Sequence, residues 1–273
     1  MATAIRHNTE ILFVDRKGFP TGRIWSHHFG SVSTIRKNQL RFSDSEKGVE
    51  WIREILLRKG HNQQLVLELL FLFTEKQIES PREAIGKYLA KIEKSPIGDK
   101  QDLFASFRGW EGSMSRAYFE GIRSVLPAMY RFERRSQRPA MDMFNCLLNY
   151  AYGMLYGLCE SALIQAGVDP ALGVMHRDEY NRPVLVYDFI ELYRHWADYT
   201  VCYLCIQEVI FEEFFDVENG QYWLNTNGKR ILIQSFNDYL NEIVPIEGLS
   251  RSRQNHMQLD AQRLASTLKK FVP

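Results

Sequence analysis

Strand signal enough for only one hairpin precedes a chain that otherwise reads as helix from about residue 45 to its end. Residues 10–15 (EILFVD) are a compact apolar run, residues 17–22 (KGFPTG) carry turn chemistry, and residues 23–25 (RIW) return as a second strand. A lone two-stranded hairpin is marginal and needs more strands, a partner chain or helix cover. The apolar period then becomes helical. Val49, Ile52, Ile55, Leu56 and Lys59 share one face, and residues 63–73 read as a second helix. Ser80, Pro81 and Glu83 stand at the N-cap, N1 and N3 spacing of a helix running through Ile92. After a break at 95–98 (SPIG), the pattern predicts helices over about 102–125, 142–166, 187–215, 231–243 and 257–271. Asp142 serves as a cap, Gly167 sits at a C′ position, and residues 225–228 (NTNG) read as a turn. The expected fold class is α+β: a small N-terminal β-domain followed by an all-α domain.

Composition narrows the function. The 273 residues are 45% hydrophobic and 25% charged, which excludes a disordered or fibrous chain. A net charge of +1 gives no global positive field, so any grip on nucleic acid has to come from local clustering. Four cysteines in this length make no disulfide scaffold, and Cys202 and Cys205 read as small buried apolar residues rather than half of a zinc site. No run reaches the roughly 18 apolar residues of a membrane span. These features lead to the expectation of a soluble, cytoplasmic protein with no membrane partner.

The most informative segment is 187–199 (YDFIELYRHWADY). On a helix turning about 100° per residue, Asp188, Glu191, His195 and Asp198 fall within about 80° of one another, while Phe189, Ile190, Leu192, Tyr193 and Trp196 cover the other faces. Buried carboxylates need a compensating cation, either an arginine or a metal. A solvated charged face accounts for the same stripe, and Arg194 could pair with Asp198 one turn on. His176 lies in the loop between the two longest apolar helices, within reach of such a stripe, though taken alone it reads as an incidental surface histidine. Glu111 sits between Gly109 and Gly112 in a helix, where each glycine costs about 1 kcal/mol. That cost implies a close approach to the backbone, or else a helix break or tight crossing. Oxygen-rich ligands with one imidazole suit Mg²⁺ or Mn²⁺ better than Zn²⁺, and such ions promote phosphoryl transfer.

Here the residues become familiar. Residues 145–155 (NCLLNYAYGML) resemble the N-x-LL-N-YxYxxL helix of the CRISPR-associated integrase, the universal first protein of the CRISPR adaptation module. Residues 166–176 (AGVDPALGVMH) resemble its AGLDPxxGxxH segment, and 185–194 (LVYDFIELYR) its LxxDLxExxR helix. Residues 108–112 (RGWEG), with Arg116 and Tyr118, resemble its xGxEGxxxRxYF element, and 60–63 (GHNQ) its K-x-x-NQ helix start. The match is in order over nearly the whole chain.

The resemblance implies that Glu111, His176 and Glu191 bind a Mg²⁺ or Mn²⁺ ion, with Asp188 as the nearby supporting acid of the catalytic set. Members of the family often carry Asp where Glu191 stands. It implies insertion of short foreign DNA into a CRISPR array, by attack of a 3′-hydroxyl on a repeat phosphodiester. It also implies double-stranded DNA as partner, a homodimer, and a complex with the small second adaptation protein. The expected domains are 1–43, a remnant of the N-terminal β-domain with its linker, and 44–273, the α-helical catalytic domain. The family's β-domain carries further strands ahead of residues 10–15, so the chain is expected to be truncated or one piece of a fused polypeptide.

DNA contact is expected mainly at phosphates. Seven arginines against three acids between positions 108 and 138 leave four excess positive charges. Arg108, Arg116, Arg131, Arg134, Arg135 and Arg138 are the candidate DNA-binding residues, although a solvated basic loop has the same composition. Two alternatives stand beside the integrase: a non-catalytic DNA-positioning subunit of the same complex, and a helical metal-binding protein unrelated to DNA.

Overall fold

The computed structural model describes residues 1–7, 11–14, 20–24, 33–74, 78–96, 100–176, 180 and 182–272. The chain is mostly helical, and its described strands pair as three two-stranded antiparallel sheets. After a short helix α1 (Ala2–Arg6), β1 (Ile11–Val14) pairs with β2 (Pro20–Ile24), with Ile11 opposite Ile24. A hairpin stands where one was expected, but residues 20–22, expected as turn, are strand; residues 10, 15, 17–19 and 25 lie outside the described residues. There follow α2 (Ser33–Ser43), α3 (Glu46–Thr74), α4 (Glu79–Lys94), α5 (Lys100–Val125) and α6 (Met143–Gln165).

Two helices expected at 49–59 and 63–73 are one, α3. Gly60 is there for space: a Cβ on it would lie 2.5 Å from Leu89 Cδ2 and 3.2 Å from Met114 Sδ, so α3 sits against α4 and α5 more tightly than any side chain permits. α4 begins before the expected Ser80 cap; its N-cap is Ile78, whose N–H donates to Glu79 Oε2 at 3.1 Å. Of the break expected at 95–98, residues 97 and 98 lie outside the described residues. α6 has the expected ends. Asp142 Oδ1 accepts from Asn145 N at 2.7 Å, and Gly167 takes φ +81 while the N–H groups of Gly167 and Val168 donate to Ile164 O and Leu163 O. That is the paired bonding of a Schellman end.

The long helix expected over 187–215 is not continuous. α7 (Val184–Phe189) gives way to a 3₁₀ turn (Ile190–Leu192), and α8 (Arg194–Ile206) starts afresh. Beyond it β3 (Phe215–Glu218) and β4 (Gln221–Leu224) form a hairpin through Asn219 and Gly220, both at positive φ as a type I′ turn requires. The turn expected at 225–228 is the start of α9 (Thr226–Asn241), with Asn225 Oδ1 accepting from Gly228 N. A third hairpin, β5 (Ile243–Ile246) with β6 (Leu249–Ser252), leads into α10 (Arg253–Lys270), capped by Ser252.

The chain divides into two units. The first comprises Met1–Val49, Tyr152–Ile190 and Asp238–Pro273, the second Glu50–Ala151 and Glu191–Asn237. In the first, Asn38 on α2 donates to the carbonyls of Leu268 and Phe271, closing the end of α10, and Phe42 meets Phe271 edge-on. Gln39 grips the 169–172 turn, donating to Asp169 O and Leu172 O and accepting from Asp169 N. In the second, Leu56, Leu67, Leu70, Phe107, Tyr118 and Phe144 are among the fully buried core side chains. No described helix is long and apolar enough to cross a membrane. Cys202 and Cys205 are free and fully buried, and burial pushes both thiols well up, as their apolar reading expects.

Candidate metal centre

The second unit holds two of the three expected ligands. Glu111 lies in the middle of α5, where its Oε1 accepts from Ser115 Oγ at 2.9 Å, one turn along, and contacts the Lys59 ammonium. The same ammonium is 2.5 Å from Glu191 Oε2 in the 3₁₀ turn. Glu191 Oε1 in turn accepts from Arg194 Nε at 2.7 Å. One ammonium thus stands between two carboxylates, and the run Ser115–Glu111–Lys59–Glu191–Arg194 is continuous. Lys59 is 5% and Glu191 7% exposed. Burial alone would raise the Glu191 carboxyl; Arg194 and Lys59 override it and hold it at about 2. Burial would lower the Lys59 ammonium, but Glu111 and Glu191 carry it above its ordinary value. Glu191 and Lys59 are therefore both charged at neutral pH.

The helical break at 190–192 serves this arrangement. It ends the α7 ladder, so Glu191 leaves the register of Asp188, and the Leu192 carbonyl takes a 3.4 Å bond from Asn62 Nδ2 on α3. Lys59 and Asn62 are three residues apart and so share a helix face.

The first unit holds the remaining expected ligand, His176, with Asp188. His176 Nδ1 lies 2.6 Å from Asp188 Oδ1. Asp188 is 1% exposed and accepts from three successive backbone N–H groups: Val174 at 2.8 Å, Met175 at 3.1 Å and His176 at 3.3 Å. A carboxylate so placed fixes both loop and ring. A neutral ring that donates Nδ1–H to this carboxylate would have its lone pair on Nε2, the tautomer a metal ligand needs.

The continuous stripe of the sequence reading is therefore replaced by two local systems. Asp198 does not join the candidate ligands: it is buried on α8 and accepts from Tyr118 Oη at 3.0 Å. Arg194 bonds Glu191, three residues before it, a partner not foreseen from sequence. The expected close approach at Gly109 and Gly112 is absent: no described heavy atom comes within 4 Å of a Cβ built at either, so α5 is open on both sides of Glu111. Among the described residues no group of three or more His, Cys, Asp or Glu is gathered as a metal site.

Lys59 was placed on a helix face from sequence but given no role at the site. Its signal was there: a lone lysine on a face otherwise made of Val49, Ile52, Ile55 and Leu56. Asn145 and Asn149 were passed over likewise. Both lie on α6, one turn apart, and hold the loop carrying the basic cluster. Asn145 Nδ2 donates to Arg134 O and to Asp142 Oδ2, and its Oδ1 accepts from Ser136 N and from Arg135. Asn149 Nδ2 donates to the carbonyls of Ser136 and Gln137, and its Oδ1 accepts from Arg135 Nη2 at 3.0 Å. Arg135 also lies over the Phe119 ring, 5.1 Å from its centroid. It therefore serves the loop from within, whereas Arg131, Arg134 and Arg138 are exposed. Arg116 on α5 is exposed and Arg108 half-buried.

Among solved structures, a casposase bound to integration product has the same fold, with a TM-score of 0.86 at 21% identity over 97% of this chain and 73% of that one. A chain of a Cas6-RT-Cas1–Cas2 complex matches with a TM-score of 0.80 at 23% identity, over 98% of this chain and 29% of that one. These likenesses define a class by its fold: mostly helical, with small two-stranded sheets. The family described as CRISPR associated protein Cas1 matches residues 1–238, and the chain belongs to that family. A relative named CRISPR-associated endonuclease Cas1 1, from Archaeoglobus fulgidus, is 27% identical over 279 residues, spanning 97% of this chain and 81% of that protein.

Proposed function

We propose that the chain is a metal-dependent DNA endonuclease and integrase, which inserts short foreign DNA into a CRISPR array by attack of a 3′-hydroxyl on a repeat phosphodiester. The observation that carries this reading is a pair of near neighbours of one cation, Glu111 and Glu191, in a chain that also presents a carboxylate-oriented imidazole. Glu111, Glu191 and His176 would hold Mg²⁺ or Mn²⁺. The donor set fits such an ion: it is oxygen-rich, and the carboxylates of Glu111 and Glu191 already converge on one cation. When bound there, such an ion would supply polarisation of a phosphoryl oxygen and offset charge developing in the transition state.

The chain's own residues do the remaining work. Asp188 holds the His176 ring and tautomer, Ser115 and Arg194 fix the two carboxylates, and the bare α5 surface at Gly109 and Gly112 leaves room for a DNA backbone. Arg131, Arg134 and Arg138 contact phosphates. In a strand-transfer assay with 3′-hydroxyl DNA, a repeat-bearing target and Mn²⁺, Glu111→Ala should lower the rate about 100-fold or more. Full activity in that variant would overturn the assignment. Arg131→Ala with Arg134→Ala should weaken binding alike for all sequences and flatten the slope of log K against log[salt] by about 2, at roughly 0.9 per phosphate. An unchanged slope would remove the loop from the DNA path.

One observation favours a second reading, a non-catalytic DNA-positioning subunit of the same complex: Lys59 and Arg194 already balance the two carboxylates. That reading predicts DNA binding without Mn²⁺ and no strand transfer. In either case the small second adaptation protein and a second copy of the chain are the proposed protein partners.

A further inference from the structure

We propose that Lys59 is the resident counter-cation of the Glu111–Glu191 pair, standing in the metal-free protein where a divalent ion draws the two carboxylates, so that metal binding has to displace it. The proposal rests on the reading of those carboxylates as ligands.

Three features of α3 place this ammonium. Gly60 lets the helix come within side-chain contact of Leu89 and Met114, so that the adjacent Lys59 reaches α5. Asn62, on the same face, bonds the Leu192 carbonyl and ties α3 to the turn that carries Glu191. The Lys59 ammonium then contacts Glu111 and lies 2.5 Å from Glu191 Oε2, in an environment from which water is largely excluded. Stability alone gives little reason for such a group, because a buried ion pair is commonly matched or bettered by apolar residues of equal volume. Two carboxylates turned toward one point do require a cation, and Lys59 supplies it while the protein folds. Both contacts are made by a point cation, which another cation can replace, and a flexible four-carbon stem allows the ammonium to withdraw.

Mn²⁺ titrated calorimetrically into the full chain without DNA tests this. Lys59→Gln removes the charge but keeps hydrogen-bond donors on a side chain one atom shorter, which guards the fold; Lys59→Met removes charge and donors. The dissociation constant for Mn²⁺ should fall about tenfold in Lys59→Gln, within the usual range of coupling between two competing events. The rise in Tm on saturation with Mn²⁺ should be larger in both variants than in the wild type. A purely structural lysine would lower Tm equally with and without the ion and leave the constant unmoved. Binding to the wild type that Lys59→Gln leaves unchanged or weakens overturns this inference alone. Absence of Mn²⁺ binding in all three proteins overturns it together with the metal reading.

Discussion

Asp188→Ala should lower Tm by about 10 °C, because it strips an acceptor from the N–H groups of Val174, Met175 and His176 at once. A buried donor left unsatisfied costs about 1–3 kcal/mol, so the total is about 4 kcal/mol, and each kcal/mol moves a chain of this size by about 2–4 °C. Thermal unfolding followed by circular dichroism reads it. Asp188→Asn separates the two duties of the carboxylate. It keeps the volume and one acceptor oxygen, so the loop should fold at a smaller loss, but it no longer fixes the proton on His176 Nδ1. Strand transfer should then drop about 10–100-fold, as when an orienting partner of a ligating histidine is removed, while Tm falls by only a few degrees. A Tm within 2 °C of the wild type for Asp188→Ala would mean that the 173–176 loop is held by other means, and the account of His176 would fail with it.

That aspartate was legible in the sequence as one member of a stripe, and the stripe shows how far periodicity carries. The residue types were right: carboxylates and an imidazole among apolar neighbours announce groups that need partners. The geometry was not, because a regular helix was drawn through 187–215, and nothing between Tyr187 and Ile206 marks a break; the segment holds neither glycine nor proline. The 3₁₀ turn at Ile190–Leu192 has its partner in Asn62, about 130 residues away. A contact of that separation leaves no periodic trace.

The missed hairpins are a different case. Asn219-Gly220 between Val217 and Tyr222 is the strongest short hairpin signal a sequence can carry, but it followed an acidic run that continued the helical spacing. The turn was instead placed at 225–228, where the structure has the first turn of α9. Helix ends written in local chemistry were readable: Asp142, Gly167 and the helical spans of α5, α6 and α10 follow from residues within a few positions of each end. Lys59 was half-legible. Its place on an apolar face was noted, but which carboxylates it meets depends on Gly60 letting three helices close up, and that is a property of packing.

The other large effect is expected at Asn145, which is 0% exposed. Asn145→Ala takes the partner from Arg134 O, Ser136 N, Asp142 Oδ2 and the Arg135 guanidinium, and leaves a small void where the amide was. Arg135 keeps Asn149 and Phe119, so its loss is partial. Two or three groups stranded away from water set the cost at about 3–4 kcal/mol, read as a shift of the urea midpoint at constant slope. Asn149→Ala is the control: it frees the Ser136 and Gln137 carbonyls at a half-buried site where water can replace the amide, and should cost about 1 kcal/mol. The two variants also separate holding the basic loop from touching DNA. Neither removes a charge, so the salt slope of DNA binding should stay at its wild-type value in both, while affinity falls about tenfold in Asn145→Ala through the freedom its loop regains, at about 0.5–1.5 kcal/mol per side chain to be re-ordered. A changed slope would instead mean that the loop had moved Arg131, Arg134 and Arg138 off the phosphates altogether. Equal stability losses in the two variants would mean that α6 grips the loop through the half-buried amide as firmly as through the buried one.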